Sequence, residues 1–213
     1  MAKTLAQIRA KVRLDIDEQE DTNPTTWTNA ELNGYINDAQ YFLLSEMMRT
    51  NPDYTLRRAT ASTVSGTAAY PPPSSLYGNK LRGLWGYVSS SSGRWEIQYK
   101  SNDTIMALQH IQGRPAYYTM IDQGIVLAPV PDSVYTLEMW YAFRPTTMSV
   151  DGSNCWFKDE EVEALSLWAA VKALNRIDRD ATKISKMLDV VLSQIKANVS
   201  QDDNLAVEYA PLA

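Results

Sequence analysis

The chain has 213 residues, a net charge of −5 and a pI of about 5.0. Hydrophobic residues make up 45% of it and charged residues 21%, which is typical of a globular protein and argues against a disordered one. One Cys and one His exclude an intramolecular disulfide and a His- or Cys-rich metal cluster, and the acidic balance argues against a chain that coats nucleic acid.

Two helices are predicted in the first 53 residues. The first begins after Thr4, which forms a capping-box pattern with Gln7, and the second begins after Thr28, which pairs in the same way with Glu31. Asn51 precedes a proline and ends the second helix. This helix is apolar on two faces, so we expect it to be buried between elements or between subunits. The apolar residues are Leu32, Tyr35, Ile36, Ala39, Leu43 and Met47 on one face and Tyr41, Phe42, Leu44 and Met48 on the other.

The middle of the chain is typical of short β-strands, because runs of β-branched and aromatic residues are broken by Gly, Pro and Ser. A short helix over residues 103–110 interrupts them, and residues 89–93 are predicted to form a hairpin tip. Thr136 and Glu138 alternate with large apolar residues, the pattern of a half-buried strand. Strands are predicted over residues 55–64, 81–88, 95–99, 116–120, 125–128 and 135–143.

Two more helices are predicted over residues 158–177 and 180–199. Acidic residues crowd the start of the first of these helices, which suits the positive end of the helix dipole. Beyond them, apolar and polar residues alternate in the last residues of the chain. This tail is either a frayed terminus or an extended arm that pairs with another chain, and we predict the arm.

These elements predict an α+β fold. Two N-terminal and two C-terminal helices form a bundle, and a large antiparallel β region is inserted between them. The predicted divisions are residues 1–53 for the N-terminal helices, 54–150 for the β-rich insertion, 151–200 for the C-terminal helices and 201–213 for the arm.

Enzyme motifs are absent from the sequence, including the phosphate-binding loop, the dinucleotide fingerprint and the nucleophile elbow. A lone His110 is more typical of a surface residue than of a catalytic base, and Cys155 of a buried thiol. We therefore predict no catalytic site, no metal and no cofactor. No apolar run approaches the ~20 residues of a membrane span, and no apolar leader follows Met1, so we expect an intracellular protein.

Two other functions stay open. Exposed aromatic side chains could make the β region a carbohydrate- or nucleic-acid-binding module, although such residues more often belong to a core or an interface. A small hydrolase using His110 or an acidic pair has less support. Local basic residues of the β region could touch phosphate or pair with carboxylates of a neighbour: Arg57, Arg58, Lys80, Arg82 and Lys100. The aromatic candidates are Tyr70, Tyr77, Trp85, Tyr87, Trp95 and Tyr99.

The whole pattern resembles a known family. It combines the capped second helix (residues 27–39), three stretches of the β region (113–118, 124–132 and 135–141), two closing helices and an arm. In this order the elements resemble the head-to-tail adaptor proteins, also called head completion or connector proteins, of tailed bacteriophages. The resemblance covers about residues 5–200.

The resemblance implies a structural virion protein of the neck, assembled in the host cytoplasm. Such proteins form a ring, usually of twelve subunits, whose helical bundle docks beneath the portal protein. The ring extends the channel through which double-stranded DNA passes, and it offers a platform for the tail or nozzle protein. An acidic wall suits this passage, because a basic one would bind phosphates.

Three sets of residues are the predicted contacts in this assembly. Side chains on the two apolar helices are predicted to form the subunit interface: Leu32, Tyr35, Phe42, Leu43, Leu165, Trp168 and Leu174. The arm is predicted to bind the portal through Leu205, Val207, Tyr209 and Leu212. The hairpin tip and its neighbour are predicted to face the tail through Ser90, Ser91 and Trp95.

Overall fold

A computed structural model of the chain describes residues 2–16, 26–89, 92–122 and 124–202. It divides the chain into two compact units, Met1–Tyr54 with Pro145–Ala213, and Thr55–Arg144, here called the helical unit and the β unit. The described helices are α1 (Leu5–Asp15), α2 (Asn29–Thr50), α3 (Asn102–Leu108), α4 (Asp159–Arg176) and α5 (Thr182–Asp202). The described strands are β1 (Leu56–Ser62), β2 (Ala69–Tyr70), β3 (Leu76–Tyr87), β4 (Trp95–Glu96), β5 (Gln98–Tyr99), β6 (Gln112–Gly113), β7 (Tyr117–Ile121), β8 (Gly124–Ala128), β9 (Val130–Pro131) and β10 (Thr136–Phe143). The predicted α+β class is confirmed.

Helix α4 lies at the centre of the helical unit, where it contacts α1, α2 and α5. Its sequence explains this position, because the small side chains of Ala164, Ala169, Ala170 and Ala173 are all buried and let neighbouring helices approach closely. Leu165, which is fully buried, fills the space between them.

Both N-terminal helices begin where their capping boxes are predicted. Thr28 Oγ1 accepts a hydrogen bond from the Glu31 amide at 3.2 Å, and Glu31 Oε2 accepts one from the Thr28 amide at 2.9 Å. Thr4 and Gln7 make the same reciprocal pair at the start of α1. At these two sites, local spacing in the sequence was sufficient to place the helix start.

The segment that follows the β unit belongs to the helical unit. The Leu5 amide donates to Ser153 O at 2.9 Å, and the Cys155 amide donates to Lys3 O at 2.8 Å. The Asn37 amide side chain bonds both the carbonyl and the amide of Met148, at 3.0 and 2.8 Å. The β unit consequently ends at Arg144 rather than at residue 150.

Two four-stranded sheets share one core in the β unit. The first sheet has the order β1-β10-β3-β4 and the second has the order β2-β8-β7-β5. Both sheets contribute large apolar residues to this core. They include Leu84, Leu137 and Met139 from the first sheet and Tyr118, Ile125 and Leu127 from the second.

Not every pairing in this unit is antiparallel. Strand β5 pairs parallel to β7, and β6 pairs parallel to β9, so the predicted antiparallel region includes two parallel pairs. Strands β2, β6 and β9 were missed. Each has two residues, which is too short for a periodic pattern to develop.

The predicted half-buried pattern of β10 is also wrong. Glu138 is only 1% exposed, although it lies on the face of the sheet opposite the core. Strand β10 lies between β1 and β3, and side chains from these strands and from Arg94 cover the carboxylate. A polar residue in an alternating strand is thus buried here by its neighbours on the sheet.

Candidate interaction surfaces

Four of the seven predicted interface residues lie in the core of their own chain. Leu32, Leu43, Leu165 and Leu174 are buried in the helical unit, the least buried of them being 6% exposed. Because these side chains are already covered within their own chain, burial gives no support to their predicted contact with another subunit, which stays a prediction. These four side chains face helices of the same chain, because α4 has helical neighbours on several sides.

The other three predicted interface residues are partly exposed. The rings of Phe42 and Trp168 stack with centroids 5.4 Å apart and planes 25° apart, and Lys172 Nζ lies 4.9 Å from the Trp168 ring. Tyr35 lies one heptad before Phe42 on α2, so both side chains point along the same face. We call Tyr35, Phe42 and Trp168 the aromatic strip, and its role in an interface stays a prediction.

Ion pairs hold the helices around this strip. Arg176 at the end of α4 pairs with Glu31 at the start of α2, which shows that the two helices run antiparallel. Towards the other end of α2, Lys196 Nζ of α5 donates to Glu46 Oε2 at 2.5 Å. This hydrogen bond from Lys196 lowers the pKa of Glu46 below its usual range.

The outer face of the first sheet carries a second cluster, which sequence reasoning missed. Glu138 Oε1 accepts hydrogen bonds from Trp140 Nε1 at 2.9 Å and from Arg94 Nη1 at 3.2 Å. Arg58 Nε lies 3.9 Å from the other carboxylate oxygen, and both arginine side chains are about half exposed. The indole rings of Trp85 and Trp140 meet edge to face, 6.5 Å apart.

Two glycines of β3 give room to tryptophans on opposite faces of this sheet. A Cβ atom on Gly83 would lie 2.2 Å from Cη2 of Trp85, on the outer face. A Cβ atom on Gly86 would lie 2.4 Å from Cζ2 of Trp95, on the core face. Each ring therefore packs on the backbone of a glycine, where a side chain would otherwise lie. Such packing covers backbone that a glycine within a strand would leave exposed.

Charge is divided unequally between the units. The helical unit has 12 Lys and Arg against 20 Asp and Glu, a net charge of −8, whereas the β unit has 8 against 5, a net charge of +3. The acidic balance of the whole chain therefore comes from the helical unit, and the β unit taken by itself is basic.

Trp95, a predicted tail-facing residue, is held within the β unit. Its Nε1 donates to Pro115 O at 2.8 Å, its ring meets Tyr135 edge to face, and the Arg114 guanidinium lies 4.8 Å from the ring. Its contact with the tail stays a prediction. Ser90 and Ser91 lie outside the described residues, as do the predicted arm residues Leu205, Val207, Tyr209 and Leu212.

The aromatic candidates for ligand stacking do not form one platform. Tyr70 is buried and its hydroxyl donates to Thr67 O at 2.7 Å, whereas Tyr99 is exposed on the last strand of the second sheet. Trp85 and Trp95 lie on opposite faces of the first sheet.

Neither of the two catalytic candidates lies in an environment typical of a catalytic group. His110 is exposed just after α3, and Cys155 is buried, which raises the pKa of its thiol to about 11. Within the described ranges, no three His, Cys, Asp or Glu side chains are grouped to hold a metal ion. In the same part of the chain, no helix combines the length and the apolar character needed to cross a bilayer.

Partly exposed aromatic and arginine side chains on two units are typical of a protein that works by binding other macromolecules, as an adaptor does. The family model of the SU10 adaptor protein matches residues 3–205. The chain therefore belongs to the SU10 adaptor protein family, which is consistent with a bacteriophage head-tail adaptor and implies a structural rather than an enzymatic role. No curated protein matches the chain.

Proposed function

We propose that this chain is a subunit of an adaptor ring that joins the portal protein to the tail in the neck of a bacteriophage virion. The observation that carries the proposal is the family match, which extends over residues 3–205 and so includes both units. The portal protein and a tail or nozzle protein would be its partners. Assembly would take place in the host cytoplasm, and the ring, a dodecamer in this proposal, would extend the channel for double-stranded DNA.

In this proposal α1, α2, α4 and α5 form the bundle that docks beneath the portal, and the β unit is inserted between its second and third helices. The aromatic strip supports lateral contact between bundles. Phe42 and Trp168 are already stacked on each other, so an approaching subunit would meet a rigid aromatic surface with little loss of side-chain entropy.

The last residues of the chain, 201–213, of which the first two end α5, would be the arm that reaches the portal. Their sequence begins with acidic and polar residues and continues with the alternating Leu205, Val207 and Tyr209. Such alternation suits an extended segment that adds to the edge of a partner sheet, with every second side chain in a pocket.

The test is binding of the purified full-length chain to its portal protein, followed by cryo-electron microscopy and by native mass spectrometry. We expect a closed ring on the portal and loss of portal binding when residues 201–213 are deleted. Trp168→Ala should weaken contacts between subunits while leaving the arm intact. Portal binding that survives the deletion would overturn the arm assignment, and a chain that never binds portal would overturn the adaptor function.

A further inference from the structure

Strand β1 forms an open edge of the first sheet. The order of this sheet is β1-β10-β3-β4, and within the described ranges β1 pairs with β10 alone. The pairing keeps a single register over all seven residues of β1, whereas the register of β10 with β3 shifts at two places. A regular edge of this length presents a row of N–H and C=O groups with which another strand can pair.

Alternate residues of β1 direct their backbone groups away from β10. The Phe143 amide donates to Thr55 O at 3.0 Å. The Thr63 amide donates to Tyr135 O at 2.8 Å. Because hydrogen-bonded positions alternate with the others along an antiparallel strand, the odd-numbered residues between these two points bind β10. In the described part of the chain no hydrogen bond reaches the backbone groups of the even-numbered residues, which lie at the open edge. These residues are Leu56, Arg58, Thr60 and Ser62.

The two arginines of β1 lean towards β10 and not towards the open edge. Charged side chains on an edge strand usually hinder the approach of another strand. The Arg57 guanidinium, however, lies 3.6 Å from the centroid of the Phe143 ring. Arg58 Nε lies 3.9 Å from Glu138 Oε2 on the other face of the sheet. Since Phe143 and Glu138 both belong to β10, these contacts hold the two guanidinium groups away from the place where a new strand would pair.

The same edge of a second copy can satisfy these backbone groups. Two β1 strands that run antiparallel about a two-fold axis at Ala59 overlap over all seven residues. Leu56 then lies opposite Ser62 of the second copy, and Arg58 lies opposite Thr60 of the second copy. Each such pair exchanges two hydrogen bonds, because all four residues direct their backbone groups to the open edge. In this register Arg58 does not face its own equivalent, and like charges directly opposite each other would destabilise the pairing. The edge is therefore complementary to itself, which selects a second copy as its partner.

We propose that the free chain forms a two-fold pair in which β1 of one copy adds antiparallel to β1 of a second copy. The first sheets of the two copies would join into one continuous sheet, in which neither β1 strand is an edge. A two-fold contact closes on itself, so it is not the contact that a cyclic ring repeats between neighbours. The pair is thus a state of the chain outside the adaptor ring, and the inference does not depend on the proposed function.

The test removes a hydrogen-bond donor from the open edge and from nowhere else. Thr60 is exposed and its N–H group points away from β10, so Thr60→Pro removes no hydrogen bond of the native sheet. Proline is tolerated on an edge strand at such a position. Thr60→Val keeps the N–H group and a β-branched side chain, and it serves as the matched control. Both variants should keep the circular dichroism spectrum of the native chain.

Pairing of the full chain is measured by sedimentation velocity and native mass spectrometry over a range of protein concentrations. We expect an equilibrium between single copies and pairs. Thr60→Pro should raise the dissociation constant at least tenfold, because each copy loses a donor at the contact, and Thr60→Val should leave it within twofold. Hydrogen exchange of the Thr60 amide should slow as the concentration of the native chain rises, since this amide is bonded only in the pair.

A cysteine at the two-fold axis tests the pair without relying on the proline variant. Opposite Cα atoms of a pair that is not hydrogen-bonded lie about 4.5 Å apart, within the range that a disulfide spans. Ala59→Cys would place two thiols at this distance. Gln112→Cys, at an exposed position of β6, is the control. We expect mild oxidation to cross-link Ala59→Cys at least tenfold faster than Gln112→Cys, while the native Cys155 stays buried and does not compete.

Each result decides the inference. Pairs that are lost in Thr60→Pro and kept in Thr60→Val would support it, as would selective cross-linking of Ala59→Cys. A native chain that stays single at every concentration would overturn it, and portal binding by that chain would leave the adaptor function standing. Pairs that form equally well in Thr60→Pro, or that leave the exchange of the Thr60 amide unchanged, would assign the contact to another surface and overturn it. Equal cross-linking of the two cysteine variants would overturn it as well.

Discussion

The indole ring of Trp85 lies directly over Gly83, two residues before it on β3, so that a Cβ atom at Gly83 would come within 2.2 Å of Cη2. We expect Gly83→Ala to lower the free energy of unfolding by about 1–3 kcal/mol, since the ring must leave its place and an overpacked site costs that much. Urea unfolding followed by tryptophan fluorescence measures the loss.

The control for this substitution is Gly34→Ala. Gly34 is exposed on α2, and a Cβ atom there would meet nothing within 4 Å. Alanine is a better helix former than glycine by about 1 kcal/mol, so this variant should be as stable as the native chain or more so. Equal losses of stability at both positions would contradict the conclusion that the Trp85 ring occupies the space left by the missing side chain of Gly83.

The capping box of α2 predicts a second pair of variants. Thr28→Ala removes the side chain that accepts the Glu31 amide hydrogen bond and should cost about 1 kcal/mol of stability. Ser101→Ala is the matched control, because Ser101 occupies the N-cap of α3 but makes no side-chain capping bond. Thermal unfolding of the two variants should differ, and a similar shift for both would contradict the assigned cap.

The pair formed by Glu46 and Lys196 predicts a pH dependence. Its hydrogen bond lowers the folded-state pKa of Glu46 below the ordinary value of 4.5, so the pair stabilises the fold fully above that pH. The contribution should disappear as the pH falls through the lowered pKa and Glu46 becomes protonated. Lys196→Met should therefore be less stable than the native chain at pH 7, and the difference should shrink towards zero at pH 3. A difference that persists at pH 3 would assign the effect of Lys196 to packing.

Cys155 should be unreactive while the chain is folded. Its thiol is buried and has a pKa of about 11, so roughly one molecule in a thousand carries a thiolate at pH 8. Alkylation by iodoacetamide at pH 8 should be more than 100-fold slower in the native chain than in urea, where the pKa returns to about 8.5. Rapid native alkylation would show that the segment around Cys155 opens readily.

The sequence was sufficient to predict an adaptor of the head-to-tail kind, the α+β class and both N-terminal helix starts. A capping box joins residues three apart, such as Thr28 and Glu31, so its signal survives without any knowledge of the fold. The interaction surfaces were harder to predict from the sequence. Phe42 and Trp168 were predicted as interface residues, yet their stacking joins two helices far apart in the sequence and only the structure shows it.

Local patterns in the sequence were sufficient to place the starts of α1 and α2 and to find the longer strands, and they contain no enzymatic motif. They did not reveal the two-residue strands β2, β6 and β9. The tertiary structure decided which apolar residues are covered, because burial depends on the neighbours that a side chain meets after folding. Leu32 and Leu165 face helices of their own chain, and Glu138 is buried although its strand alternates. The partners of Glu138 include Arg94, 44 residues earlier, and no local pattern encodes a contact over that distance.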